Sequence, residues 1–551
     1  MKNIAAALLL FSMAFNATSQ TKARFERFDY SGRDEYYNPS KLPADGGYFN
    51  PVISGWASDP SVAKKGNDYW LVTSTFGYFP GVPVYHSTDL VTWTQAGNVL
   101  SRPSQLPWLE GQSLGKGGIY APAISYNPQN DTFYVITTCV TKKGSINFYV
   151  TAKDPRGPWS EPVVLEDVDG IDPSFFFDDN GKAYIVHKAE EHSPVKWSNN
   201  RALAIIEFDT KTGKTIGEPR KFREEGVGPE EQLERNEGAH IYKIDGNYYL
   251  LAAEGGTSWC HSEVCYKADN VWGPYRRWSR NPMLTQRLQK PNRTTPVTCT
   301  GHADMFQDNA GKWWAVFLGC RPWMNGSEQL GRETFMLPVR WSRDGFPYIT
   351  QNLDTVASTV KHPGIGTQQA VNAGNFNWSD DFSSVTLRPE WMSLWGSPAE
   401  QAVTGNGLTL TCSPIDSRSG KTPAYIGRRI QHHDFEASTT VTIPGNATAN
   451  DAAGILIVKT EQRQIFFAVS PGHIRLMQPG GKILSETNAD TAGKPVGLKV
   501  ICKDGKYTFD FRIADGQIHT LASGISASFT SSSAGGFTGT TIGLFATSAD
   551  F

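Results

Sequence analysis

Charge is scarce in this sequence. Only 19% of its 551 residues are Asp, Glu, Lys or Arg, and they sum to a formal net charge of -2. Soluble domains usually carry about 25%. No basic stripe of the kind that tracks phosphates is present, so nucleic acid is not expected as a partner. Apolar runs are short after the amino terminus, and none approaches the roughly 20 residues that span a bilayer. No CxxC pair or His/Cys cluster has zinc spacing. The 7 cysteines are too few and odd in number for a dense disulfide framework in a chain of this size. Cys139, Cys299 and Cys320 lie in apolar, strand-like runs and read as buried thiols, whereas pairing of Cys412 with Cys502, or of Cys260 with Cys265, is left open.

Aromatic residues are abundant instead, at 12% with 16 Trp and 20 Tyr. Rings on a weakly charged surface suit neutral ligands that stack, so sugars fit this balance better than phosphates. The first residues, "MKNIAAALLLFSMAFNATSQ", place a Lys before a short apolar core and then small residues. That is the layout of a secretory signal peptide over residues 1–19, with Ala17 and Ser19 before a cleavage near Gln20, and it is too short for an anchor helix. An exported protein, periplasmic or extracellular, is expected.

The length predicts roughly two or three domains. Asp-Pro-Ser occurs at Asp59 and again at Asp172, each time before an apolar run. Aligned on these positions, "DPSVAKKGNDYWLVTST", "APAISYNPQNDTFYVITT" from Ala121, "DPSFFFDDNGKAYIVHK", "GAHIYKIDGNYYLLAAEGGT" from Gly238 and "GHADMFQDNAGKWWAVFLG" from Gly301 each read as a hairpin with a polar turn. The repeats start roughly 50 to 66 residues apart, somewhat beyond the 40 to 50 usual for a propeller blade. Stretches such as "HSTDLVTW" and "KADNVWGPY" read as outer hairpins. An all-β chain is expected, with a five-bladed β-propeller over residues 20–365.

In a propeller the first strand of each blade lines the central channel. Asp59, Asp172 and Glu237 would then converge from distant sequence, and paired carboxyl groups are what glycosidic bond cleavage needs. The plainer reading makes the two Asp residues turn caps. Glu254 could line the pocket, Asp304 and Glu263 could support it, and Glu230, Glu231 and Glu234 read as a solvated loop.

Together, "NPVISGWASDPSV", "TSTFGYFPGVPVYHSTDL", "GIYAPAISYN", "GIDPSFFFDDNGKAY", "NEGAHIYKIDGNYYLLAAEGGT", "TGHADMFQDNAGKWWAVFLG" and "LGRETFMLPVRW" resemble family 43 of the glycoside hydrolases, particularly its β-xylosidases and α-L-arabinofuranosidases. The resemblance implies an inverting reaction on a five-bladed propeller, with Asp59 as general base, Glu237 as general acid, and Asp172 raising and orienting the acid. Inversion requires the two working carboxyls to stand roughly 6.5 to 9.5 Å apart. It also implies that Arg332 binds sugar hydroxyls rather than pairing with Glu333, and that Phe76 lines the terminal-sugar subsite. Tyr120 stands where many relatives carry Trp. His302 matches a histidine that in some relatives contacts calcium or water and in others the substrate, so calcium is an expectation and no cofactor is required.

From "HPGIGTQQAVNAGNFNWSDDF" onward, short alternating strands such as "GLTLTC", "FEASTTVTI" and "YTFDFRI" read as a β-sandwich over residues 366–551. This region resembles the concanavalin-like jelly roll of family 43 xylosidases, in which a loop closes the pocket; Phe537 in "GGFTGTTIGLFATS" would come from that loop. The function expected is exo-acting release of terminal xylose or arabinose from plant cell-wall oligosaccharides, with a slight lean to xylose. A non-catalytic sugar-binding propeller, an adhesin carried by the sandwich, and an exo-galactanase are the alternatives.

Overall fold

A computed structural model describes residues 20–190, 202–222, 236–290, 293, 296–323, 329–362, 365, 367–527 and 536–551. The signal-peptide reading and the Glu230, Glu231 and Glu234 loop lie outside these residues. The described chain is all-β, with a few single 3-10 turns and no α-helix.

Five antiparallel sheets open on the strands Ser61–Lys65, Gly118–Asn127, Ile171–Phe177, Glu237–Ile244 and Thr298–Gln307. Each opening strand is joined by a short polar turn to a second strand rich in Tyr, Trp, Val and Ile, where β-branched and aromatic residues pack well on a pleated surface. The opening strands touch in cyclic order, the fifth returning to the first. Between consecutive sheets lie five apolar layers. Trp70 and Phe148 belong to the first of these, and Tyr69 and Trp314 to the last, which closes the cycle.

The serine of each Asp-Pro-Ser stitches neighbouring sheets. Ser61 Oγ donates to Asp304 Oδ2 at 2.7 Å and accepts from the Ile124 amide at 3.1 Å; Ser174 Oγ donates to the Ala239 carbonyl at 2.6 Å. Asp304 also accepts from the Val62 amide and the Tyr242 hydroxyl, so its carboxylate is consumed in closing the array.

The second domain is a sandwich of an eight-stranded and a six-stranded sheet. The first described strand, Lys22–Gly32, lies inside its larger sheet, pairing with Leu408–Thr411, Asn377–Asp380 and Phe435–Thr442. This corrects the boundary expected from the sequence: the first described segment belongs to the sandwich, not to the domain that follows it. The physical reason is its alternation, which places Ala23, Phe25, Phe28 and Tyr30 in the sandwich core and Lys22, Arg24 and Glu26 in solvent. Neither Cys412 with Cys502 nor Cys260 with Cys265 forms a disulfide, which removes the two pairings left open, and Cys299 is half-buried rather than buried.

Candidate active site

Where the opening strands meet, one pocket of about 340 Å3 is lined by Asp59, Phe76, Tyr120, Asp172, Glu237, His302, Arg332 and Phe537. All eight residues singled out from the sequence therefore come together. The backbone explains how. Asp59, Ala121, Asp172, Gly238 and His302 all have left-handed φ, at 56°, 38°, 55°, 59° and 53°. In four sheets the strand register slips across this residue, the mark of a β-bulge, which turns a side chain away from the pleat. Left-handed non-glycine residues cost about 1–3 kcal/mol each and concentrate at functional sites. The equivalence also moves the fifth repeat by one residue: His302, not Gly301, is the counterpart of Asp59.

Asp59 is almost fully buried. Its Oδ2 accepts from Ser58 Oγ at 3.0 Å and Ser74 Oγ at 2.5 Å, while Oδ1 faces Arg332 Nη1 at 3.3 Å and His302 Nδ1 at 3.6 Å. Burial alone would raise its pKa, yet Arg332, His302 and the two hydroxyls hold the carboxyl below its ordinary range. Asp172 is the opposite case. Burial and the nearby Glu237 push it well above its ordinary value, with Lys188 opposing. Burial likewise lowers the His302 imidazole, against the pull of Asp59 and Glu237.

Glu237 directly precedes the bulge at Gly238 and accepts from Lys188 Nζ at 2.6 Å through Oε2. At Gly238 space rather than φ requires glycine, since an added Cβ would sit 2.7 Å from the His302 ring. Strand alternation separates Arg332 from Glu333. Arg332 faces the pocket, whereas Glu333 points into the interior and takes two bonds from Arg321, at 2.6 and 2.8 Å. The surface pair considered from the sequence does not form.

The pocket wall is aromatic. The Phe76 and Tyr120 ring centroids lie 5.1 Å apart, Phe537 stands 5.9 Å from each, and the Arg332 guanidinium lies over Phe537 at 5.3 Å and Phe76 at 5.8 Å. Phe537 reaches this wall from the sandwich, its amide bonded to the Gly115 carbonyl at 2.7 Å.

Of the rival carboxylates, Glu254 faces Arg277 at 3.4 Å and Glu263 accepts from the Ala303 amide; neither lines the pocket. Calcium takes six to eight oxygen ligands. Around His302 the Asp304 carboxylate is taken by protein donors and Asp59 faces a guanidinium, so these residues do not fit a calcium cage. Among the described residues no group of three or more His, Cys, Asp or Glu could hold a metal ion.

Sequence reasoning missed Lys188, His261 and Thr257, which also line the pocket. The only trace of Lys188 was a cation ending the apolar strand Ala183–Lys188.

The chain matches the family model of glycosyl hydrolases family 43 over residues 48–347, and that of the beta xylosidase C-terminal concanavalin A-like domain over residues 379–550. It is 36% identical over 517 residues to the non-reducing end alpha-L-arabinofuranosidase BoGH43B of Bacteroides ovatus, covering 90% of each chain. It is 34% identical over 524 residues to a xylosidase/arabinosidase of Butyrivibrio fibrisolvens, covering 91% of this chain and 95% of that one. Among solved structures, a GH43_12 protein retrieved from capybara gut metagenome aligns with a TM-score of 0.86 at 36% identity, covering 95% of this chain and 99% of the other. With three acids from separate repeats in one pocket, and with relatives of this identity along nearly the whole length, the chain belongs to glycosyl hydrolases family 43 and is a glycoside hydrolase.

Proposed function

We propose that the protein is an exported, exo-acting, inverting hydrolase that releases terminal xylose or arabinose from plant cell-wall oligosaccharides. The observation that carries this reading is the meeting of Asp59, Asp172 and Glu237 with Arg332 and three rings in one small pocket. The five sheets in cyclic contact support a five-bladed propeller around it.

In this reading the terminal sugar stacks against Phe76, Tyr120 and Phe537, and Arg332 donates to its hydroxyls. Arg332 Nε is buried without a protein partner and supplies such a donor. Asp59, held ionised, takes a proton from water through Oδ1 as the water oxygen bonds to the anomeric carbon. Glu237 gives its proton to the glycosidic oxygen, which keeps the electron pair of the breaking bond. Asp172, itself pushed well above its ordinary value by burial and the nearby Glu237, stands beside the acid and orients it. The sandwich loop carrying Phe537 closes one side, which favours chain ends over chain interiors.

The test is hydrolysis of p-nitrophenyl β-D-xyloside and α-L-arabinofuranoside beside the matching oligosaccharides, with NMR of the first-formed anomer. Cleavage of one glycoside with inverted product supports the reading and names the sugar. Retention of configuration overturns the assigned roles. Binding without cleavage makes the protein a lectin, and cleavage of galactosides alone makes it an exo-galactanase.

A further inference from the structure

Lys188 ends the second strand of the third sheet, opposite Ile171 in register, and so stands beside the bulge that carries Asp172. Its backbone is clamped. Gly170, at φ 65°, packs so tightly that an added Cβ would lie 1.8 Å from the Lys188 carbonyl oxygen. The side chain crosses from this sheet to the next and meets Glu237 Oε2 at 2.6 Å, with the two side chains only 16% and 12% exposed. A charge-assisted bond of this length, half-buried at the pocket wall, is among the stronger polar contacts a side chain makes.

An ammonium has three donors and no acceptor. Of the two oxygens of a protonated carboxyl it bonds far better to the one that bears no proton, because the hydroxyl oxygen is the weaker acceptor. While Lys188 holds Oε2, a proton on Glu237 is therefore favoured on Oε1. We propose that Lys188 is a positioning residue for proton transfer: it reserves Oε2 as an acceptor and leaves Oε1 as the oxygen that carries the proton to the leaving group. In that step the Oε1–H bond breaks as the new O–H bond forms on the glycosidic oxygen, and Lys188 stabilises the carboxylate left behind. This inference rests on Glu237 being the general acid.

A positioning role has a signature that simple structural support lacks, because acid assistance matters in proportion to how poor the leaving group is. Lys188→Met, Lys188→Arg and Glu237→Gln are compared with the native enzyme on a series of aryl glycosides, from dinitrophenyl to phenyl, and on the corresponding disaccharide. Lys188→Met is expected to lose less than about threefold on the dinitrophenyl glycoside and about tenfold or more on the phenyl glycoside and disaccharide, steepening the dependence of rate on leaving-group acidity. Lys188→Arg, which keeps a cation with donors, should recover most of the loss. An equal loss on every substrate would overturn the inference, as would a rise in KM for the disaccharide with the slope unchanged. If Glu237→Gln itself shows no leaving-group dependence, the acid assignment fails first, whatever Lys188→Met does.

Discussion

Asp59 uses its two carboxyl oxygens differently. Oδ2 is tied down by Ser58 and Ser74, and Ser74 in turn accepts from the Ala121 amide at 2.7 Å, so only Oδ1 is left to work. A base must be ionised, so activity rises as pH climbs through its pKa, here held below the usual carboxylate range. Ser74→Ala removes a bond to the ionised form, and the acid limb of the kcat/KM profile should move to higher pH, whereas Ser74→Thr should restore it. Glu237→Gln should cost at least about 100-fold on oligosaccharides and far less on a p-nitrophenyl glycoside, read by comparing the two rates. At this scale the sequence was informative: Asp59, Asp172 and Glu237 were identifiable from their repeat positions. Lys188 was not, because a single Lys at a strand end resembles any solvated cation until the neighbouring sheet is placed.

The repeating element is an opening strand with a left-handed bulge where it meets the pocket. The sequence exposed the repeat through its hairpins, but not the bulge, because Asp, Ala, Gly and His share no local signal for positive φ. The same blind spot placed the fifth repeat one residue early, at Gly301 instead of His302. Gly238→Ala tests the element directly. It combines unfavourable φ with a contact to the His302 ring, so it should destabilise the fold by about 1–3 kcal/mol and displace Glu237. A lowered thermal midpoint together with a loss in kcat is the expected result; an unchanged kcat would show that the bulge does not aim the acid.

At the scale of the whole molecule, the two domains are joined by a buried polar knot. Asp34 accepts from the amides of His433 and Asp434, Glu333 accepts from the Gly55 amide, and Arg321 binds Glu333 while its guanidinium lies 4.3 Å over the Tyr36 ring. Arg321→Met strands a buried carboxylate and should cost about 3–5 kcal/mol, measured by chemical denaturation. Burial lowers both His432 and His433 to about 4. Unfolded histidines titrate near 6.5, so between those values the unfolded chain binds more protons, and stability should fall as pH drops from about 6.5 toward 4. Replacing both by Gln should flatten that slope. Phe537→Ala opens the wall supplied by the sandwich and should raise KM with little change in thermal stability.

The sequence by itself determined the class of fold, the hairpin repeat and the three acids, since these depend on local alternation, turn residues and residue types that recur at matching positions. Tertiary structure alone decided that the first described strand, Lys22–Gly32, completes a sheet built from residues beyond 370 and that Lys188 meets Glu237. Each of these is a contact between segments far apart in the chain, chosen by which apolar faces and charges must be buried together. Local pattern carries no record of that choice.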